Sequence, residues 1–302
     1  MATLKGQNLR IGIEGTGGDF AVVAMATSCT INLQTNTEDS ATKDDAGMAA
    51  KPVINTKSWS VQVESLNVAD VAALLTAIKN NTNFRLIWDE TARTDNFTSQ
   101  NAAFARKGYA FLNDATFTFD DRTNSVKQLR FVGVDALSAI ASGDIMNGPA
   151  SDAYTKGQFV RLFLSSNNTV PSDVVAAAKQ LSLHVSVSLE DATTKDTDGT
   201  WTIQEPTEIS YDITSNALVR SGDTITSAVG GKSLADLETI YDNATMVKWQ
   251  IANTSGANNR TKNAVIVSGT AILSSLSINA AVKQNSTYTA TLTGYGAYTV
   301  GA

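Results

Sequence analysis

The sequence repeats itself at half its length, and that repetition limits the folds open to it. Lys5-Gly6-Gln7-Asn8-Leu9-Arg10-Ile11-Gly12-Ile13 recurs as Lys156-Gly157-Gln158-Phe159-Val160-Arg161-Leu162-Phe163-Leu164, 151 residues on. Val22-Val23-Ala24 recurs as Val174-Val175-Ala176, 152 residues on. Asp39-Ser40-Ala41-Thr42-Lys43-Asp44-Asp45-Ala46-Gly47 recurs as Asp191-Ala192-Thr193-Thr194-Lys195-Asp196-Thr197-Asp198-Gly199 at the same offset. Three blocks in one order at nearly one spacing indicate a duplication. Further on, Ser60-Val61-Gln62-Val63 parallels Ser210-Tyr211-Asp212-Ile213, and Gly133 parallels Gly294. The chain therefore divides into a first domain (1–140), a linker (141–155) and a second, divergent copy (156–302). The linker is punctuated by Gly143, Asn147, Gly148 and Pro149.

Each half reads as mainly β. Leu181, Leu183, Val185, Val187 and Leu189 alternate with Ser182, His184, Ser186 and Ser188, the period-two signature of a strand with one buried face. Cys29, Ile31 and Leu33 alternate with Thr30 and Asn32 in the same way. Trp59, Val61 and Val63 predict a second strand, matched by Ile209, Tyr211 and Ile213. Further strands are predicted at Phe84–Trp88, Tyr109–Leu112, Ala115–Phe119 and Gln128–Val134. Their counterparts are Met246–Ile251, Ala264–Val267, Thr270–Leu276 and Thr287–Tyr295. One short helix interrupts each set. Asn67 can cap the first, with Asp70 three residues on and Val68, Val71, Leu75 and Ile78 on one stripe. Ser233 and Asp236 repeat that cap ahead of Leu234, Leu237 and Ile240. Each copy is thus a β-sandwich or small barrel with one flanking α-helix.

The composition narrows the function classes. Charged residues are 17% of the chain, below the roughly 25% usual for soluble domains. A weakly charged, Thr-rich surface suits a protein covered by neighbouring subunits. One Cys and one His leave no disulfide framework and no zinc site of those ligands. The net charge of −6, with no long Lys/Arg run, argues against tight gripping of nucleic acid. No apolar run is long enough for a membrane helix, and the N-terminus lacks a signal-peptide core.

No catalytic, cofactor-binding or metal site emerges. His184 and its counterpart Asn32 both fall on the polar face of a strand, so the His reads as solvent-facing or interfacial. Cys29 aligns with Leu181 and reads as a small apolar residue. Gly230-Gly231-Lys232-Ser233 lacks the first glycine of a phosphate loop, since position 226 is Thr. Asp120-Asp121 and Asp44-Asp45 read as turn or solvated-face residues. The chemistry-bearing segments are instead two polar loops, Thr35–Lys57 and Glu190–Glu208. In the first, Asp39, Thr42, Lys43, Asp44 and Asp45 lie near Met48, Val53 and Ile54. In the second stand Asp191, Thr194, Lys195, Asp196 and Asp198. Connections this long are uncommon unless ordered or functional, and these are read as assembly arms. Exposed ion pairs contribute only about 0–1 kcal/mol each, so burial of Met48, Val53 and Ile54 should dominate at about 25 cal/mol per Å².

Several of these segments resemble one family. They are Ser28-Cys29-Thr30-Ile31-Asn32-Leu33, Asp39-Ser40-Ala41-Thr42-Lys43-Asp44 and Lys57-Ser58-Trp59-Ser60-Val61, then the helix Val71–Ile78 and the strands Gly108–Phe119 and Leu129–Val134. Together they span most of residues 26–137 and resemble the major tail proteins, or tail tube proteins, of long-tailed bacteriophages. The second half looks like a divergent copy, keeping Thr194-Lys195-Asp196, Gly199 and Trp201 but carrying Ile209 in place of Trp59. The resemblance implies two tandem tail-tube domains and a structural virion protein, not an enzyme. Members of the family typically have one such domain per chain and stack as six-membered rings. Two domains per chain then imply a ring of three chains with pseudo-sixfold symmetry, a ring of six being the alternative. It also implies a channel for double-stranded DNA, contact with a tape measure protein and with tail terminator or tip proteins, and residence in the virion tail after synthesis in the host bacterial cytoplasm. An acidic or small-polar lumen would let DNA slide. Two other roles remain open at this point: the inner tube of a contractile injection device, and a two-domain β-sandwich adhesin.

Overall fold

The structure is a computed structural model, describing residues 5–15, 18–41, 50–66, 70–91, 100, 102–141, 143–148, 155–166, 169–194, 200–219, 231–255 and 261–301. After a 3-10 turn at Gly6–Asn8 the first half runs β1 (Leu9–Glu14), β2 (Phe20–Val22), β3 (Ala26–Asp39) and β4 (Pro52–Ser65). Then come α1 (Val71–Lys79), β5 (Phe84–Glu90), β6 (Arg106–Asp120), β7 (Val126–Gly133), β8 (Ser138–Ala139) and β9 (Met146–Asn147). The second half opens with a 3-10 turn at Gly157–Phe159 and continues as β10 (Val160–Ser165), β11 (Asp173–Val175), β12 (Ala178–Asp191) and β13 (Gln204–Leu218). It ends with β14 (Gly231–Lys232), α2 (Leu234–Asp242), β15 (Met246–Ser255), β16 (Thr261–Asn279) and β17 (Thr287–Val300).

Hydrogen bonding orders the first half β2-β1-β5-β6-β7-β4-β3. The second half runs β11-β10-β15-β16-β17-β13-β12, the same order element for element. Fine detail repeats too. A bulge between Ala26 and Ser28 of β3 has its counterpart between Ala178 and Gln180 of β12. Another between Leu112 and Asp114 of β6 recurs between Leu273 and Ser275 of β16.

These bulges correct the sequence alignment of one strand. They set β4 against β13 at 152 residues, so Trp59 corresponds to Tyr211, not to Ile209. Packing explains why an aromatic residue is kept there. The Trp59 ring lies over Gly108 and Gly133 and fills the space that a Cβ would need at either position. Tyr211 lies over Gly294 in the same manner, 2.5 Å from an added Cβ, while a Cβ at Gly269 would meet Trp249 Cζ2 and the Tyr211 hydroxyl, both at 3.0 Å. Glycine is required at those positions because a ring occupies the space a side chain would need.

Two predicted breaks do not exist. Tyr109–Leu112 and Ala115–Phe119 belong to the single strand β6, and Ala264–Val267 and Thr270–Leu276 to β16. In β6 a bulge between Leu112 and Asp114 shifts the alternation by one residue without ending the strand, and in β16 the register with β17 shifts between Ser268 and Thr270 while the strand runs on. The predicted linker is also partly folded. Met146 is fully buried with Phe20, Val22 and Ile87, and β9 pairs in parallel with β2. Asp144 takes the Lys107 ammonium at 2.6 Å. Burial works against its charge, but the backbone N–H of Ala141 and then Lys107 hold its carboxyl below the ordinary carboxylate value.

The helices cover the core. Ser233 and Asp236 form the capping box expected for α2, with Asp236 N–H donating to Ser233 Oγ at 3.3 Å and Ser233 N–H to Asp236 Oδ2 at 2.8 Å. The α1 N-cap is Asp70, while Asn67 and Val68 lie outside the described residues. Val71, Leu74, Leu75 and Ile78 of α1 and Leu237 and Ile240 of α2 are buried in one core shared by both halves.

Candidate assembly surface

The halves are not separate sandwiches. β6 pairs antiparallel with β12 from Asp120 opposite Gln180 to Asp114 opposite Ser186. Through this seam, β3-β4-β7-β6-β12-β13-β17-β16 form one uninterrupted run of eight strands. One face is apolar and buried under the helices: Val61, Phe131, Phe117, Leu183, Ile213 and Leu292 are each no more than 2% exposed. Period-two alternation sends the intervening residues to the other face. That face carries Gln62, Glu64, Asp114, Thr116, Gln128 and Arg130 from the first half, and Ser182, His184, Ser186, Asp212, Thr214 and Thr291 from the second. Its charges are sparse and mainly acidic.

His184 sits on the seam. Its Nδ1 meets Asp212 Oδ1 at 2.9 Å and its Nε2 meets Asp114 Oδ2 at 3.0 Å. Partial burial works against charging the ring. The two carboxylates outweigh that, through hydrogen bonds and then through charge, and raise the imidazole above its ordinary value. A protonated ring donates to both carboxylates and bridges β6 of one half to β13 of the other. The Asp114 contact could not be assigned from sequence, because β6 and β12 meet only in the tertiary fold.

Both described ends of the polar loop Thr35–Lys57 are strand. β3 continues to Asp39 and β4 begins at Pro52, so the segment extends the hairpin beyond the sheet. Thr, Val and Ile supply the pleated propensity. Asp39 Oδ1 accepts from the backbone N–H of Ala41 at 3.0 Å and of Lys51 at 3.2 Å, closing the hairpin neck. Val53 and Ile54 are 55% and 46% exposed. The second arm repeats the device: Asp191 Oδ1 accepts from Thr193 N–H at 2.9 Å. Hydrogen bonds from the Thr193 side chain and then its backbone hold the Asp191 carboxyl low. Thr194 follows directly. Thr42, Lys43, Asp44, Asp45 and Met48, with Lys195, Asp196 and Asp198, lie outside the described residues. The first arm touches the base of the second: Lys57 N–H donates to Thr200 O at 2.6 Å, and Thr202 N–H to Lys57 O at 3.0 Å.

Residues 158–300 match the family model of the phage tail tube protein. Over its second half, the chain is similar to the phage tail tube protein family. That match falls on the copy the sequence marks as divergent. No curated protein matches the chain. Among solved structures, the chain is similar to the tail of an empty gene transfer agent particle, at 14% identity and TM-score 0.40, over 49% of this chain and 99% of that one. It is also similar to the SPP1 tail tube, at 18% identity and TM-score 0.35, over 46% of this chain and 75% of that one. The family match supports a structural tail tube subunit, and the fold is mainly β.

The residues set aside from sequence have structural places. Cys29 is half-buried, its Sγ 3.8 Å from Leu9 O, and burial pushes its thiol up. Gly231 and Lys232 form β14, and Ser233 caps α2. Asp120 accepts from Thr123 Oγ1 at 3.3 Å in the turn after β6. One buried charge was not visible in the sequence. Lys127, with a side chain 2% exposed, reaches Asp70 at 2.5 Å. Burial outweighs Asp70 and lowers its ammonium below the ordinary lysine value.

Proposed function

We propose that three copies of this tail tube protein close head to tail into a ring, and that stacked rings form a hollow tube for double-stranded DNA. The observation that carries this is the β6–β12 seam. It leaves β3 and the C-terminal part of β16 (275–279) as the two open ends of the eight-stranded run, and unpaired strand edges seek partners. The matching pairing order supports reading 1–140 and 156–302 as two copies of one tube domain joined by 141–155. Three chains then present six near-equivalent copies.

Size favours three chains. Strands spaced about 4.8 Å apart, eight from each of three chains, give a barrel about 37 Å across before tilt widens it. Inward side chains of about 5 Å leave a bore that admits a duplex roughly 20 Å wide. Six chains would double the width. The polar face would line the bore. Glu64, Asp114 and Asp212 set against Arg130 give no basic track for phosphate to grip, so DNA slides.

The hairpin arms would reach the next ring, with Val53 and Ile54 as the apolar contact and Asp39, Asp191 and Thr194 shaping the necks. Thr42, Lys43, Asp44, Asp45, Met48, Lys195, Asp196 and Asp198 belong to the same proposed arms by sequence alone. A tape measure protein inside the tube, terminator or tip proteins at its ends, and a place in the virion tail after synthesis in the host cytoplasm complete the reading. Negative-stain microscopy of the purified protein tests it. Hollow tubes or rings with threefold chain symmetry are expected, and dispersed monomers at assembly concentrations would overturn it. Val53→Asp with Ile54→Asp should leave rings but shorten or abolish tubes.

A further inference from the structure

We infer that neighbouring chains join through antiparallel pairing of β3 of one chain with the C-terminal half of β16 of the next, in a register set by the seam inside each chain. The inference rests on the tube reading and specifies its partner surface. β12 and β3 correspond at 152 residues, pinned by their shared bulges. β6 and β16 correspond at 161, pinned by theirs and by Ala110 opposite Gly133 matching Ala271 opposite Gly294. Bulges fix register because an inserted residue can pair in only one place. Transferring the seam from Leu183 opposite Phe117 and Val185 opposite Ala115 therefore sets Ile31 opposite Ile278 and Leu33 opposite Leu276. On the polar face, Asn32 then faces Ser277.

Exposure points to the same residues. Among the described strands, residues 28–34 of β3 pair only with β4, and residues 275–279 of β16 only with β17. Leu33 is 65% exposed and Ile278 is 53% exposed. Their counterparts at the seam, Val185 and Phe117, are 1% and 0% exposed. The two edges stand at opposite ends of the eight-stranded run, so each finds its mate on another copy. The joint also differs from the seam in charge. Where the seam holds His184, Asp114 and Asp212, the corresponding residues are Asn32, Ser275 and Ser60. The joint is therefore neutral where the seam titrates.

Two measurements test the register. With Cys29→Ser as parent, Leu33→Cys/Leu276→Cys and Asn32→Cys/Ser277→Cys place cysteines at opposed pairs of opposite hydrogen-bonding type. Opposed Cα atoms lie about 4.5 or 5.5 Å apart, within the reach of a disulfide. At least one variant should give covalent multimers on a non-reducing gel after mild oxidation, and the shifted control Leu33→Cys/Ser274→Cys should give few. If the parent forms tubes yet neither opposed pair cross-links, the register is wrong and the tube reading survives. If the parent forms neither rings nor tubes, the tube reading itself fails. The second measurement blocks the edges separately. Leu33→Lys and Ile278→Lys change exposed residues, so each variant should fold and elute as a monomer. Mixed, they should elute as two-chain species and nothing larger, since one intact edge of each type remains. Unchanged tubes from either variant, or a mixture that stays monomeric, would overturn the inference.

Discussion

Gly294→Ala should destabilise the second half by an amount the packing sets. The new methyl group would sit 2.5 Å from Tyr211 Cε2 and Cζ. Comfortable carbon contacts lie near 3.5–4.0 Å, so the ring must retreat by about 1 Å. It has little room to do so. Its hydroxyl donates to Thr270 O at 2.7 Å, Trp249 packs tilted at 5.5 Å, and Tyr298 packs edge-on at 5.7 Å. Overpacking of this kind costs about 1–3 kcal/mol, and a broken hydroxyl bond adds about 1 kcal/mol. At a few °C per kcal/mol for a chain of this size, the melting temperature should fall by about 5–10 °C. The assay is calorimetry or urea denaturation on dilute, unassembled chain, because association adds its own stabilisation. Tyr211→Val removes the obstruction at its own cost, and in that background Gly294→Ala should add less than about 0.5 kcal/mol. A melting temperature within 1 °C of the parent, or an equal penalty with and without Tyr211, would refute the ring-over-glycine account.

Two further outcomes follow from buried and bridging charges. Asp70→Asn strips the counter-charge from the buried Lys127 ammonium and should cost about 3 kcal/mol by urea midpoint, the low end for breaking a buried pair because Asp70 stays half-exposed; Lys127→Met in the same background should recover most of it, and no recovery would count against the pairing. The raised value of His184 makes its carboxylate contacts fully stabilising below the unfolded imidazole value near 6.5, with the contribution lost as pH climbs through the folded value. Melting temperatures across pH 5–8 should therefore fall more steeply in the parent than in His184→Asn, and parallel curves would contradict the bridge.

Local regularities made much of the protein legible in its residues. Alternation along Leu181–Leu189 marks β12 because a strand half-buried in a sheet must repeat every two residues. Ser233 with Asp236 marks the start of α2 because orphaned N–H groups need acceptors at that spacing. The duplicated Lys-Gly-Gln and Thr-Lys-Asp blocks expose the twofold plan, and with it the tail tube resemblance. Alignment by letters failed where chemistry changed but geometry did not. Trp59 and Tyr211 share little beyond a flat ring, and only the glycines beneath them reveal the match. The bulge at Asp114 was likewise silent, since an extra residue in a strand reads as an end of alternation, and the one at Ser275 left no mark within the strand predicted there.

What the sequence determines here is the content of each half: which residues are pleated, which are apolar, and that the plan occurs twice. These are properties of neighbours along the chain, and near neighbours interact whatever the rest does. Which strand edges meet was decided only by the tertiary structure. β6 and β12 are some sixty residues apart and carry no mutual signal in their letters, because backbone hydrogen bonds are the same for every residue. Folding joins them, sets His184 between Asp114 and Asp212, and leaves β3 and the C-terminal part of β16 open at the two ends of the eight-stranded run.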